Sequence, residues 1–293
     1  MHLLFPQWQG SGFTDELYRG ALLLKERMQD LVSFTEIDLE WSSRLEIESG
    51  IMGCSQIAAQ LQTACGKLIE ANPDRIFSIG GDCGIEIAPA SFLNKKYAGD
   101  LGLIWLDAHG DLNTPESSLS GHFHGMALRL LLGEGAAPIL GTAFSRFHSN
   151  QIFLIGCRDL DPPEQLFVNR EKITLFSVEE IQQRPTAITD SIRDRGFEKI
   201  YIHLDLDVLD PQQFPFVKCP TPEGVSFEAL LRLVNELKAN FEILGFSIVE
   251  FCPIRNEGVG KLEELIEVYL SCYRIGPGKT GFENDSAPNS PLV

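Results

Sequence analysis

The sequence predicts an α/β protein built on a largely parallel sheet with helices on both faces. Short apolar segments alternate with segments of helical periodicity along the chain, which is the pattern of β-α-β units. The composition shows no linker-like shift and no internal repeat before residue 276. We therefore predict one domain over residues 1–275. The tail over residues 276–293 is rich in Gly, Pro, Ser and Asn, and we expect it to be disordered.

Eight short, largely apolar segments are predicted as strands. They are residues 2–5, 34–39, 75–79, 101–106, 151–155, 173–176, 199–204 and 243–249. The clearest helix lies over residues 52–70, where apolar residues recur at helical spacing until an Asn-Pro pair stops it. Further helices are predicted over residues 15–28, after residue 83, and over residues 126–132, 227–237 and 261–272.

The composition excludes several classes of function. Of the 293 residues, 44% are hydrophobic and 22% are charged, which is ordinary for a globular protein with a sizeable core. The formal net charge is −17, so we expect no nucleic-acid or anionic-membrane partner, whereas a cationic small molecule would suit it. We see no signal-peptide pattern, and no apolar run approaches the ~18 residues of a membrane span. Seven scattered cysteines without a C-x-x-C pair predict reduced thiols in a cytoplasmic protein.

Polar residues follow five of the predicted strands directly. They are Asp82 with Cys83, residues 107–111, residues 158–161, Asp205 with Asp207, and Glu250. In an open α/β sheet the ligand binds beyond the carboxyl ends of the strands. Acids, histidine and cysteine at one edge of the sheet therefore predict a functional site rather than a set of solvated loops.

The segment over residues 107–111 predicts a divalent metal site. Asp107, His109 and Asp111 are spaced two residues apart, so their side chains point the same way from extended chain. Carboxylate oxygen and imidazole nitrogen suit Mn, Fe, Zn or Co. Two more of the six histidines, His122 and His124, follow closely.

Six motifs then resemble those of the arginase family, the ureohydrolases. In the family's order, over about residues 79–253, they read GGDC, DAHGD, NTP, SGHFHG, HLDLDVLDP and SIVEFCP. The resemblance implies a three-layer α/β/α fold around a mostly parallel eight-stranded sheet. It also implies hydrolysis of a C–N bond in a linear guanidine or amidine by a site with two Mn²⁺ ions.

The same resemblance implies a role for each matching residue. The metal ligands would be Cys83, Asp107, His109, Asp111, Asp205 and Asp207, with Asp107 and Asp205 bridging the two ions. Asp111 would also act as a general acid–base, and Glu250 would orient the guanidinium through charge-assisted hydrogen bonds. His124 would carry protons to the solvent or to the leaving amine.

The substrate contacts implied by the resemblance favour an α-amino acid such as arginine over agmatine. Asn113 and Ser120 would hold the α-carboxylate, and Asp161 would contact the α-amino group. His122 stands where the arginase branch has asparagine, and a protonated imidazole there could also attract the carboxylate. Turn formation is the alternative interpretation of Asn113 and Ser120.

One position departs from the family pattern, which has histidine where this chain has Cys83. Sulfur is a softer ligand than manganese prefers, and we expect it to weaken one metal site. The alternatives are a thiolate that changes the preferred metal, a single-ion site, a buried inert cysteine, and loss of hydrolysis in a binding or regulatory protein. Some relatives that act on N-hydroxyarginine resemble this chain in having cysteine there.

The sequence therefore leaves the substrate open among arginine, N-hydroxyarginine, agmatine and guanidino acids. Members of the family are often trimeric or hexameric, so a homo-oligomer also stays open. We assign no role to His203, which lies in the strand that precedes Asp205, and we predict it to be a core histidine whose hydrogen bonds are satisfied.

Overall fold

The structure is a computed structural model that describes residues 1–12, 14–39, 44–254 and 257–274. Its strands are β1 His2–Phe5, β2 Thr35–Glu36, β3 Ile47–Glu48, β4 Ile51–Met52, β5 Ile76–Gly80, β6 Gly102–Leu106, β7 Ile152–Ile155, β8 Thr174–Phe176, β9 Lys199–Asp205 and β10 Glu242–Val249. The predicted tail from residue 276 lies outside the described residues.

Eight of these strands form one sheet in the order β2-β1-β5-β10-β9-β6-β7-β8. Every neighbouring pair in this sheet is parallel. The eight-stranded parallel sheet predicted from the sequence is confirmed. The strand predicted over residues 34–39 is shorter than expected, because only Thr35–Glu36 pairs with β1 at the sheet edge.

The hairpin of β3 and β4 was not predicted. These two-residue strands pair antiparallel outside the main sheet. Ser49 and Gly50 join them, and both have positive φ (51° and 74°), as the two central residues of a type I′ hairpin turn do. The Ser-Gly pair was the available signal, but strands this short carry too few residues to show an alternating pattern.

Ten helices cover the two faces of the sheet in the described part of the chain. They are α1 Glu16–Met28, α2 Cys54–Ala71, α3 Ile87–Lys96, α4 Ala127–Leu131, α5 Ala137–Leu140, α6 Pro162–Glu171, α7 Val178–Gln183, α8 Pro185–Asp194, α9 Phe227–Asn240 and α10 Glu263–Arg274. One hydrophobic cluster joins a sheet face to α1 and α7–α10, and a second joins the opposite face to α2–α6. This is the three-layer α/β/α arrangement.

The strands are apolar on both sides because each side faces a layer of helices. In β6, Ile104 belongs to the first cluster and Leu103 and Trp105 to the second, and all three are fully buried. Complete burial of a side chain of this size contributes about 1.5–3 kcal/mol to stability. Packing in the core thereby fixes the position of each strand within the sheet. It also fixes the position of the polar residues that follow each strand.

Five neighbouring strands at the centre of the sheet, β5-β10-β9-β6-β7, are the same five that the sequence predicts to end in polar residues. Because the strands are parallel, their carboxyl ends share one edge. All seven cysteines lie in the described part of the chain and none forms a disulfide. Over that same part, no helix has the length and apolar character needed to cross a membrane.

Candidate metal centre and substrate pocket

A cavity of about 300 Å³ opens at the carboxyl edge of the sheet. It is lined by Cys83, His109, Asp111, Asn113, Ser118, Leu119, Ser120, His122, His124, Gly125, Asp159, Asp161, Glu164, Asp205, Asp207 and Cys219. Of the predicted site residues, only Asp107 and Glu250 are absent from this lining, and both contact lining residues directly. The structure thus brings together the candidate residues from the ends of five strands.

The first group of candidate ligands joins β6 to β9. His109 Nδ1 lies 3.0 Å from Asp207 Oδ2 and 3.5 Å from Asp107 Oδ1. The two carboxylates are almost completely buried, whereas His109 is about one quarter exposed toward the pocket. One ligand atom from each residue lies within 4.8 Å of the others, which is close enough for a shared ion.

The second group joins β5, β9 and β10. The Cys83 thiol donates to Asp205 Oδ2 at 3.2 Å and approaches Glu250 Oε1 at 3.8 Å. Cys83 also belongs to a set with Asp107, Asp111 and His203, all four of them buried. Cys83 is therefore placed among the candidate ligands and not elsewhere in the core.

Local turns orient Asp107 and Asp205 toward the other candidate ligands. Asp107 Oδ1 accepts a hydrogen bond from the His109 backbone N–H at 2.7 Å, and Asp205 Oδ1 accepts one from the Asp207 N–H at 2.7 Å. A short side-chain acceptor that binds the backbone two residues on is the Asx turn, which Asp favours. The same turn at two neighbouring strand ends orients two carboxylates alike.

Asp111 and Glu250 have unusual backbone conformations. Their φ angles are +51° and +62°, in the left-handed region that non-glycine residues rarely occupy. Such conformations cost about 1–3 kcal/mol each and concentrate at functional sites. Both side chains are buried, so the surrounding fold holds them there.

The cluster of buried carboxylates shifts the pKa values of the side chains at this site. Burial and neighbouring carboxylates raise the pKa of Asp205 and of Asp111 well above the usual range. The same causes raise the pKa of Asp207 to about 6, although its hydrogen bond with His109 acts to lower it. Burial alone would lower the pKa of His109, but Asp107 and Asp207 raise it overall. A cation that binds here would compete with protons for these side chains.

Buried oxygens without a partner indicate that these residues fit a divalent metal. Asp111 Oδ2 and Glu250 Oε2 are buried and accept no hydrogen bond from any residue that the structure describes. Buried polar atoms are normally paired, so an ion or a ligand group is expected there. Carboxylates, imidazole and one thiol are an appropriate donor set for a transition-metal ion.

His124 lies beside the candidate ligands, at the start of a short 3-10 turn, His124–Met126. Its Nδ1 is 3.1 Å from Glu250 Oε1. Burial would lower the pKa of His124, but the contact with Glu250 raises it overall. His122 is half-buried at the pocket wall, with its ring centroid 6.0 Å from that of His124, and burial lowers its pKa.

The other predicted substrate contacts line the outer part of the pocket. Asn113 Nδ2 donates to Asp161 Oδ2 at 2.8 Å, and Asn113 Oδ1 accepts from the Ser117 hydroxyl at 2.8 Å. Ser120 is exposed, and its Oγ accepts from the His122 N–H at 3.2 Å. Asn113 and Asp161 thus form one connected pair, whereas Ser120 belongs to a separate polar turn.

Two supporting residues, Glu164 and Arg158, had no role predicted from the sequence. Glu164 accepts hydrogen bonds from the backbone N–H groups of Leu112 and Asp161, both at 2.8 Å. The Arg158 guanidinium donates to the carbonyls of Asp207 at 3.0 Å and Thr221 at 2.7 Å. Asp161 and Glu164 form a capping box, which is a local signal, whereas the contacts to Leu112, Asp207 and Thr221 are long-range and leave no local motif.

His203 differs from its prediction. It is a fully buried histidine, as expected, and its Nδ1 is 3.0 Å from Glu86 Oε1. Its Nε2, however, has no hydrogen-bond partner among the described residues. The prediction that its hydrogen bonds are satisfied is therefore wrong for one of the two ring nitrogens.

Comparison with known proteins identifies the family. The sequence model of the arginase family matches residues 13–265. An arginase of Bacillus caldovelox is 34% identical over 253 residues, which cover 82% of this chain and 84% of that protein. The chain belongs to the arginase family. The resemblance that the six motifs indicated is confirmed.

Two further members of the arginase family show how far the similarity extends. An arginase of Staphylococcus aureus is 33% identical over 195 residues, covering 65% of this chain and 64% of that protein, slightly less than two thirds of its length. The crystal structure of Entamoeba histolytica arginase in complex with L-ornithine superposes with a TM-score of 0.83, covering 94% of this chain and 98% of that one at 23% sequence identity. At that identity the superposition establishes the fold alone.

Proposed function

We propose that this chain is a metal-dependent hydrolase that cleaves a C–N bond of a linear guanidine and releases urea or a urea derivative. The observation that supports it best is that His109, Asp111, Asp205 and Asp207 line one cavity and that Asp107, just behind it, shares possible metal-binding groups with His109, Asp111 and Asp207. Their separation along the chain excludes a single local turn as the reason for this convergence.

The proposed ligands are Cys83, Asp107, His109, Asp111, Asp205 and Asp207. The carboxylates and the imidazole of this set would suit Mn²⁺, whereas the softer Cys83 sulfur would weaken one of two ion sites. When bound, such ions lower the pKa of water toward neutrality and so provide a nucleophile for a poorly electrophilic carbon.

The proposed role of Asp111 is to accept a proton from the attacking water and return it to the leaving nitrogen. Its unpartnered, buried Oδ2 supports this role, since it is free to form a hydrogen bond with a reacting group. Residues that transfer protons in this way typically contribute 10²–10⁴-fold to a rate.

The proposed role of Glu250 is to hold and orient the guanidinium. Glu250 Oε1 is already engaged with His124, and Oε2 is buried without a partner among the described side chains. A guanidinium N–H would satisfy this oxygen through a charge-assisted hydrogen bond. His124, which faces both Glu250 and the pocket, would carry a proton to the departing amine or to the solvent.

The outer pocket supports an α-amino acid substrate, most simply arginine. The Asp161 carboxylate would attract an α-ammonium group, and Asn113, Ser120 and His122 would contact the α-carboxylate. The relatives from Bacillus caldovelox and Staphylococcus aureus are named arginases. Cys83 favours a second candidate, N-hydroxyarginine, because relatives of that type resemble this chain at the same position.

A panel assay tests this proposal and separates its alternatives. The chain, loaded with Mn²⁺, is incubated with arginine, N-hydroxyarginine, agmatine and guanidino acids, and urea or hydroxyurea is measured. Urea from arginine supports arginase activity, and hydroxyurea from N-hydroxyarginine alone supports the second candidate. Activity on agmatine but not on arginine would overturn the proposed contacts to the α-carboxylate.

If a chain shown to bind the ions hydrolyses none of these compounds, the result would favour the alternative of a non-catalytic binding or regulatory protein. A Cys83→His variant provides the matched comparison, because it restores the imidazole of the family pattern. Activity gained by this variant would identify Cys83 as the cause of the loss.

A further inference from the structure

A second layer of polar residues lies directly below the candidate ligands, inside the sheet. Ser78, Ser247, His203 and Trp105 are paired in register across the neighbouring strands β5, β10, β9 and β6. All four are fully buried. Trp105 and His203 precede Asp107 and Asp205 by two residues, so they lie on the face from which those aspartates project.

Glu86 and Trp105 fix the orientation of His203. Its Nδ1 lies 3.0 Å from Glu86 Oε1, and the Glu86 carboxylate also accepts a hydrogen bond from the Ser247 hydroxyl. The Trp105 ring stacks on the imidazole, with a centroid separation of 3.6 Å and an interplanar angle of 18°. This support leaves the ring one direction in which its other nitrogen can point.

That direction is toward the candidate metal centre. His203 Nε2 lies 3.8 Å from Asp107 Oδ2, too far for a hydrogen bond. Within the described residues it has no hydrogen-bond partner, although the side chain is fully buried. Ligand atoms of His203, Cys83, Asp107 and Asp111 all lie within 4.8 Å of one another.

These distances fit a shared ion. Oxygen and nitrogen ligands lie about 2.0–2.2 Å from a transition-metal ion and thiolate sulfur about 2.3 Å, so two ligands of one ion are about 3–4.6 Å apart. The 3.8 Å between Nε2 and the Asp107 oxygen falls within this range. A histidine that binds a metal through one nitrogen usually donates its other N–H to a carboxylate, and Glu86 is placed to accept it.

We propose that His203 is a metal ligand on the Cys83 side of the centre, where it provides an imidazole from β9 while position 83 offers sulfur. This ion would then be held by Cys83, Asp107, Asp111 and His203, with Glu86 fixing the imidazole from below. The inference rests on the proposed function, because it requires that the centre holds divalent metal.

Metal affinity of matched variants tests the proposal. We expect His203→Gln to weaken the binding of one Mn²⁺ ion at least 10-fold, in chelator competition followed by elemental analysis, and to leave the other ion unaffected. Cys83→Ser should weaken the same ion, whereas His109→Gln should weaken the other. His148→Gln, a substitution of an exposed histidine, is the control and should leave both affinities unchanged.

A second measurement uses the unaltered chain, so its result does not depend on whether the variant folds. With ¹⁵N-labelled histidine, pulsed electron paramagnetic resonance of bound Mn²⁺ detects each coordinated imidazole. We expect nitrogen couplings from two histidines, His109 and His203. Coupling from one histidine only would overturn the proposal, as would wild-type affinity for both ions in a folded His203→Gln variant.

The outcomes separate the two levels of inference. If the wild-type chain binds no divalent ion, both the proposed function and the His203 assignment are overturned. If it binds ions but His203→Gln lowers only kcat, the imidazole positions Asp107 without binding metal, and the His203 assignment alone fails.

Discussion

Asp111 is the residue at which backbone strain, burial and proposed chemistry coincide. Its φ is +51°, its side chain is 4% exposed, and one of its oxygens lacks a partner among the described residues. This left-handed conformation is unfavourable for a residue other than glycine. Its retention here indicates that the fold stabilises this conformation, as strained functional sites require.

We predict that Asp111→Asn lowers kcat at least about 100-fold, because the amide cannot accept and return a proton. Asparagine tolerates positive φ, so the free energy of unfolding of the ion-free chain should change little. Urea release and chemical denaturation measure the two effects.

Asp190→Asn, at an exposed aspartate of α8, is the matched control and should keep full activity. Wild-type turnover by Asp111→Asn would contradict the role that we propose for this carboxylate.

At this scale the sequence could place a side chain where the signal was a local spacing or a position at the end of a predicted strand. The two-residue spacing of Asp107, His109 and Asp111 sufficed to predict their convergence. Glu86 and His203 are 117 positions apart, and Arg158 and Thr221 are 63 apart. Pairs of this kind depend on strand order, which one sequence does not specify.

At the scale of elements, two helices contain glycines with opposite surroundings. A Cβ at Gly20 in α1 would lie 1.8 Å from the carbonyl oxygen of Phe251, which follows Glu250. Gly66 in α2 is exposed, and a Cβ there would meet nothing within 4 Å. The first glycine permits close packing of α1 against the segment that follows Glu250, whereas the second makes no such contact.

We predict opposite effects of alanine at these two positions. Gly20→Ala should lower the free energy of unfolding by about 1–3 kcal/mol through overpacking, and lower activity by displacing Glu250. Gly66→Ala should raise the free energy of unfolding by about 0.5–1 kcal/mol, because alanine is the better helix former. Urea denaturation gives both values, and a destabilising Gly66→Ala would contradict the surroundings described for α2.

The strands were largely predictable at this scale, because buried parallel strands are continuous apolar runs. The longer helices were predictable because their apolar residues recur at helical spacing. The α7 and α8 helices, Val178–Gln183 and Pro185–Asp194, were not predicted. They are short, they are separated by one residue, and the second begins with proline. The α7 helix buries Ile181 alone and α8 buries only Ile188, Thr189 and Ile192, so neither segment has enough apolar residues to show a long period.

At the scale of the whole molecule, the sheet concentrates negative charge at one edge of a chain that already carries a net charge of −17. Without cations, the carboxylates at that edge must be protonated or repel each other. Metal binding should therefore stabilise the fold as well as form the site.

We predict that Mn²⁺ raises the midpoint of thermal unfolding and that a chelator reverses the effect. An ion at 100 times its dissociation constant stabilises the native state by about 2.7 kcal/mol. Asp205→Asn should greatly reduce the increase, whereas Asp190→Asn should not. Equal increases in both variants would place the stabilising ion elsewhere.

The N-terminal strand gives a pH dependence that is independent of the metal centre. Burial, with the N-terminal ammonium as a smaller cause, lowers the pKa of His2 from 6.5 to about 4. Since protonation is then easier in the unfolded chain, the stabilising effect is complete above pH 6.5 and is lost as the pH falls toward 4.

We predict that His2→Phe, which keeps an aromatic ring beside Phe77, removes this dependence. Between pH 7.5 and 4 the wild-type free energy of unfolding should fall by about 1–3 kcal/mol more than that of the variant. Parallel pH profiles from chemical denaturation of the two chains would exclude the His2 contribution.

The central claim is that acidic and imidazole side chains from separate strands form one metal centre, and anomalous diffraction tests it most directly. Crystals of the chain grown with Mn²⁺ are measured at the manganese absorption edge. We predict at least one anomalous peak among Asp107, His109, Asp205 and Asp207, with ligand distances of about 2.0–2.3 Å. A fully ordered pocket with no peak among these residues, at saturating Mn²⁺, would contradict the account.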